Sequence, residues 1–225
     1  MQYISLTLLI LYLLLSILFT FGLKVHKIYF GIGFLFGVVS LYLHGMTVIS
    51  QEAHPLFYLP AGITVGIVIF FISLFLTTFS FKEVLLHGLP LKGIAALCRS
   101  RLRWAAAMIY VCAAEEFIWR AVIQDYFGRI YLESPHLSII LTAVMFTIIH
   151  KKSIQDDILK QAEFLLFSLF LGYAYFVTHS LIFVFLIHLV RNLSIEYRNT
   201  KKEKEGRPDD GEIPCLDSPP PVRNN

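Results

Sequence analysis

Charge is what this sequence has least of. Only 16% of its 225 residues are Asp, Glu, Lys or Arg, against 56% hydrophobic. Cysteine is rarer still. Cys98, Cys112 and Cys215 are three in number and far apart, which argues against a disulfide framework and against a zinc knuckle. There is no His-Glu-x-x-His, the helical zinc-protease pattern. The net charge is only +3, and the basic residues lie in the breaks between apolar runs. Nucleic-acid binding therefore has no support. The ending PVRNN carries no prenylation box. The beginning, MQYISLTLLILYLLLSILFTFGL, lacks a basic n-region and a small-x-small cleavage site, and its apolar run is too long for a signal peptide. It is expected to be a retained first span.

What is present is grease at regular intervals. The mean hydropathy is +0.68, and apolar runs of about 20 residues recur between short polar breaks. The expected fold is all-α: a polytopic transmembrane helical bundle of about seven spans, near 4–23, 28–49, 57–81, 104–127, 137–150, 162–178 and 180–195. The last two are separated by a very short turn around Thr178-His179-Ser180. Glycines at helical spacing, Gly33 with Gly37 and Gly62 with Gly66, are candidates for close helix approach. The stretch from Glu196 is polar and proline-containing and is expected to be a disordered tail over 196–225.

The basic residues also orient the chain. Alternate loops and the tail hold 16 of the 19 Lys and Arg residues, the opposite loops hold only Arg129, and Arg120 and Arg191 lie inside spans. The positive-inside rule then places the N-terminus outside and the C-terminus in the cytoplasm.

Against that background the segment CAAEEFIWRAV, Cys112–Val122, stands out. Glu115 lies 11 residues after Trp104, about 16 Å along a helix, and so near the middle of a span. Each ionised side chain at that depth costs roughly 2.5–3.5 kcal/mol unless it finds a partner. Glu116 and Arg120 are at i and i+4, on one helix face, and can pair. Glu115 is turned about 100° away and has no cation in its own helix. A carboxylate left beside a neutralised pair is a candidate general base; a buried ion pair that only locks helix packing is the alternative.

Two further spans carry polar groups. LTAVMFTIIH places Phe146 and His150 at i and i+4, and SLIFVFLIHLVRNL does the same for His188 and Asn192. A lone His or Asn in a span is usually a packing residue. A carboxylate, a His, and a His with an Asn one turn apart, on three helices, are together the parts for activating a water and holding an oxyanion.

The segments EEFIWR, FTIIH and HLVRN, in that order, resemble the Glu-Glu-x-x-x-Arg, Phe-x-x-x-His and His-x-x-x-Asn motifs of the CAAX protease and bacteriocin-processing (ABI) family of intramembrane endopeptidases. The resemblance covers roughly Leu85 to Ile195. It implies a catalytic transmembrane core at 85–195, with 1–84 as accessory helices. It implies peptide-bond hydrolysis in or beside the membrane. By position, Glu115 and His150 would activate water, His188 and Asn192 would stabilise the oxyanion, Glu116 and Arg120 would shape the site, and Phe146 would pack beneath it. No cofactor is expected; the alternative is a divalent metal such as zinc on Glu115, His150 and His188. The expected partners are the lipid bilayer and a membrane-associated or lipidated peptide or protein substrate, in the plasma membrane of a prokaryote.

Two features fit less well. His150 falls at the cytoplasmic end of its expected span while Glu115 is near mid-depth, so either that helix continues past Lys151 and Lys152 or the site is a funnel open to the cytoplasm. Arg191 is expected to snorkel to the interface, the alternative being a substrate carboxylate or a lipid phosphate as its partner. Two other functional classes compete. One is a non-catalytic scaffold, immunity or regulatory protein on the same fold, for which loss of a motif residue would be the mark. The other is a small transporter, for which a repeat between the two halves would be the mark. Neither mark is present.

Overall fold

The computed structural model describes residues 55–78, 91–128, 132–154 and 157–205, and the isolated positions 7, 10, 11, 39 and 42. Every long element among them is helical. The order is α1 (Pro55–Thr78), α2 (Leu91–Ser100), α3 (Leu102–Glu116), a π-helical stretch (Phe117–Phe127), α4 (Pro135–Ile154), α5 (Ile158–Thr178) and α6 (Leu181–Glu205). The expected spans at 4–23 and 28–49 lie outside the described residues. The other five expected spans each correspond to a helix.

Two of these helices, Leu56–Thr78 and Ile158–Thr178, are long and apolar enough to cross a membrane, and Pro135–His150 is a shorter apolar helix. A count of seven spans is therefore not reached among the described residues. The reason is physical. Two expected spans lie outside the described residues, α3 has only 15 residues before the backbone turns π-helical, and α6 is diluted in hydropathy by its own charges.

The distribution of side chains nevertheless runs opposite to that of a water-soluble bundle. On α4, Leu137, Ile140, Leu141, Val144 and Ile148 point outward, at i, i+3, i+4, i+7 and i+11, while Ser138 and Thr142 face inward. Glu116, Arg120, Gln124, Glu163, Ser168, His188, Arg191 and Ser194 are all buried. A protein solvated by hydrocarbon gathers its polar groups inside, because an unpartnered one facing lipid costs several kcal/mol.

Local chemistry sets the helix ends. Asp157 caps α5, its Oδ1 accepting from the backbone N–H of Leu159 and Lys160 at 3.0 and 3.4 Å. At the other end His179 adopts a left-handed φ of 48°, and its N–H bonds to the Tyr175 carbonyl at 2.7 Å. Ser180 then caps α6 by accepting from Phe183 N–H at 3.1 Å. The reversal uses only two residues, so α5 and α6 pack as an antiparallel pair.

The α1–α6 contact is the most extensive among the described helices, and Gly62 and Gly66 permit it. A Cβ at Gly62 would lie 2.8 Å from Leu186 Cβ, and one at Gly66 would lie 2.8 Å from Val190 Cβ. The small-x-x-x-small spacing lets the two backbones approach. Through that contact α1 brings Ser73 against α5 and α6.

Three boundaries differ from expectation. Leu91–Ser100, read as loop, is an amphipathic helix that buries Leu97 and packs Ile94 against α6. The α6 helix runs to Glu205, ten residues past 195. Phe117–Phe127 is π-helical rather than α-helical, which shifts the face presented by Arg120 and Gln124.

Candidate active site

The double carboxylate sits at the last turn of α3, where the backbone passes into the π-helical stretch. Glu116 is fully buried and held from both sides. Its Oε2 accepts from Arg120 Nε at 3.1 Å, and its Oε1 accepts from His188 Nδ1 at 2.7 Å. Arg120, also fully buried, continues the network: its NH2 donates to Ser168 Oγ at 3.1 Å, and its NH1 lies 3.5 Å from Gln124 Oε1. Gln124 in turn donates to the Gly172 carbonyl at 2.9 Å. The spacing of Glu116 and Arg120 thus forms the expected ion pair, tied to α5 as well.

Glu115 faces differently. Its side chain keeps 24% exposure, as does that of His150 at 23%, and His150 Nε2 lies 3.2 Å from Glu115 Oε1. His188 Nε2 lies 3.8 Å from the other oxygen, Oε2. The carboxylate without a cation in its own helix is therefore flanked by imidazoles from two others.

His150 reaches Glu115 because α4 does not stop there. It continues through Lys151 and Lys152 to Ile154, so that His150 lies within the helix and not at its end. The ring is oriented from below by the Phe146 carbonyl, 2.8 Å from Nδ1. Because a carbonyl only accepts, Nδ1 carries a proton, and the hydrogen bond between Nε2 and Glu115 requires a further proton shared between imidazole and carboxylate. Phe146 is fully buried, its ring centroid 4.3 Å from that of His150 and 5.4 Å from that of Trp119. It forms the floor of the site.

Asn192 is one turn past His188. Its Nδ2 points to Cys112 Sγ at 3.8 Å, toward the helix that carries the carboxylates. Cys112 is fully buried. All seven residues singled out from the three motifs are thus in one connected region where α3, α4 and α6 meet. Among the described residues, no group of three His, Cys, Asp or Glu side chains is arranged to hold a metal ion.

Arg191 does not snorkel. It is buried at 4% exposure, and its NH2 contacts both oxygens of Glu163 on α5, at 2.8 and 2.7 Å. Inside a packed bundle the nearest counter-charge is a neighbouring helix, not the interface. Glu163 escaped notice in the sequence, although a lone acid in the apolar run QAEFLLFSLF demands an in-membrane partner. Ser73 and Ser168, two further partners of the buried arginines, give no such signal, since serine is common in spans. Next to this pair a cavity of about 370 Å³ is lined by Ser73, Thr77, Glu163, Phe164, Arg191 and Arg198. The Phe164 ring separates it from the carboxylate–histidine cluster, stacking 5.5 Å from Phe146 and 5.2 Å from His150.

A family model described as type II CAAX prenyl endopeptidase Rce1-like matches residues 64–194, more than half of the chain. The chain belongs to this family of membrane-integral CAAX proteases. The match starts inside α1, earlier than the resemblance read from the three motifs, and so takes in the helix that supplies Ser73. No match was found among curated proteins or among solved structures.

Proposed function

We propose that this protein is an intramembrane endopeptidase that hydrolyses a peptide bond near the terminus of a membrane-associated or lipidated substrate. The observation that supports it most directly is the pairing of Glu115 with His150 at 3.2 Å in the part of the cluster that retains exposure, beside a carboxylate that is wholly neutralised. Glu115, aided by His150, takes a proton from water, and the hydroxide adds to the scissile carbonyl. Asn192 Nδ2 and His188 Nε2 lie on the adjoining face of α6 and donate to the developing oxyanion. His188 Nδ1 already donates a hydrogen bond to Glu116, so donation from Nε2 as well requires a proton on both ring nitrogens. Proton return to the leaving amine completes hydrolysis. Glu116 and Arg120 hold His188 and the π-helical stretch in place.

The competing reading puts a divalent metal such as zinc on Glu115, His150 and His188; it rests on the motifs, since the three side chains are neighbours but are not arranged to hold an ion. We propose that the protein lies in the plasma membrane of a prokaryote with its C-terminus in the cytoplasm; the asymmetry of its basic residues supports the orientation. Comparative proteomics of membrane fractions with and without the protein tests the activity. A shifted terminus on one or a few proteins, restored by the wild type and not by Glu115→Gln, is the expected result. Identical termini in all three samples would remove the proposal.

A further inference from the structure

Asn192 has to present its NH2 group, and not its carbonyl oxygen, to an oxyanion. A side-chain amide can rotate by half a turn at little cost, so something must hold it. The neighbour that does so is Arg191, whose NH1 donates to Asn192 Oδ1 at 3.2 Å. A guanidinium has donors and no acceptor. The amide must therefore turn its oxygen to Arg191, which leaves Nδ2 directed toward Cys112 on α3. This follows from the chemistry of arginine and does not depend on how the amide atoms were assigned.

Arg191 is itself immobilised. Its Nε donates to Ser73 Oγ at 3.2 Å, and its NH2 donates to both oxygens of Glu163. Ser73 completes a closed ring by donating its hydroxyl proton to Glu163 Oε1. The guanidinium carbon lies 4.2 Å from the Phe167 ring centroid, and the same ring is 5.6 Å from that of His188. Three elements of the site's far wall thus converge on one planar group: α1 through Ser73, α5 through Glu163 and Phe167, and α6 through Asn192. Arginine's fixed fork suits this, and lysine, a single point charge, could satisfy only part of it.

We propose that Arg191, clamped by Glu163 and Ser73, is a positioning residue for hydrolysis that sets the orientation of the Asn192 amide. This rests on the proposed activity and on Asn192 as an oxyanion donor. The motif residues account for Asn192; nothing in them accounts for the arginine beside it or for its partners on α1 and α5.

The test is a double-mutant cycle with purified full-length protein in liposomes, using a fluorogenic prenylated CAAX peptide as the probe. Asn192→Ala removes the donor and lowers kcat by about 100- to 1000-fold. Arg191→Lys lets the amide turn, and lowers kcat by about 10- to 100-fold with KM changed less than about twofold, because the lost interaction acts in the transition state. In the Asn192→Ala background the same Arg191→Lys change costs less than about twofold, since no amide remains to be oriented. Ser73→Ala is the milder second variant, for use if Arg191→Lys does not fold. It lowers kcat by about 2- to 10-fold, the equivalent of one neutral hydrogen bond, and again only when Asn192 is present.

A merely structural role moves these readouts differently: the losses multiply, and each substitution costs the same factor in both backgrounds. That result, or full activity in Arg191→Lys, overturns the positioning role and leaves the protease reading standing. Full activity in Asn192→Ala or Glu115→Gln, or no cleavage by the wild type, overturns both.

Discussion

Glu116 accepts a 2.7 Å hydrogen bond from Nδ1 of His188, 72 positions away and on another helix. Glu115, one residue earlier, meets the same imidazole only at Nε2 and at 3.8 Å. One histidine thus meets two adjacent carboxylates in different surroundings. One is buried and paired on both sides; the other is partly exposed and in contact with a second histidine.

That division predicts different consequences for the same substitution. Glu115→Gln keeps the shape and removes the base. We expect cleavage to fall by at least about 100-fold, the lower end of what a positioned general base contributes, with the melting temperature in detergent nearly unchanged. Wild-type turnover in this variant would show that Glu115 is not the base.

Glu116→Gln should act on folding. It leaves Arg120 and His188 facing a neutral amide in a site with no exposure. Removing one partner of a buried pair typically costs about 3–5 kcal/mol. Thermal unfolding in detergent should therefore begin many degrees lower than for Glu115→Gln. Equal melting of the two variants would refute the difference in role.

The α1–α6 contact gives a prediction far from the chemistry. Gly66→Val forces a branched side chain where even a Cβ lies 2.8 Å from Val190 Cβ and 3.1 Å from the Ile187 carbonyl. Overpacking of this kind costs about 1–3 kcal/mol. Ser73 would move with α1, so activity should fall together with melting temperature. A Gly66→Val protein as stable as the wild type would show that the close approach is not needed.

Metal dependence is decided by chelation. With water activated by Glu115 and His150 alone, activity should survive prolonged chelation, and elemental analysis should find less than one zinc per protein. Stoichiometric zinc that leaves in His188→Ala, and activity restored to chelated protein by zinc, would recast Glu115, His150 and His188 as ligands.

Topology can be read with a reporter fused after Gly206, beyond the end of α6. The 16-to-1 partition of basic residues between loop sets predicts activity only for a reporter that works in the cytoplasm. Signal from a reporter that works only outside would reverse the orientation.

Much of this was legible in the chain itself, and the reason is energetic. A charge in an apolar run is too costly to be incidental, so Glu115, Glu116 and Arg120 declare themselves without any coordinates. Phe146 with His150, and His188 with Asn192, were legible because helical periodicity places i and i+4 on one face. The Glu116–Arg120 pair and the two-residue turn at His179-Ser180 were local enough to be read from spacing. The amphipathic α2 was missed because its ten residues sit in a basic stretch that reads as loop, although Ile94 and Leu97 repeat at helical spacing.

The sequence by itself determined the helical, membrane-embedded class, the order of the motifs and the identity of the residues that carry charge into the bundle. All of these depend on composition or on contacts within about one helical turn. Only the tertiary structure decided which charges meet. That His188 binds Glu116 and faces Glu115, that Arg191 pairs with Glu163 instead of reaching the interface, and that Ser73 joins them from α1 depend on how the helices are rotated and how closely they pack. Those quantities are set by Gly62 and Gly66, by the capped turn between α5 and α6, and by the π-helical offset after Glu116. Their effects are summed over the whole bundle and cannot be read from any one segment.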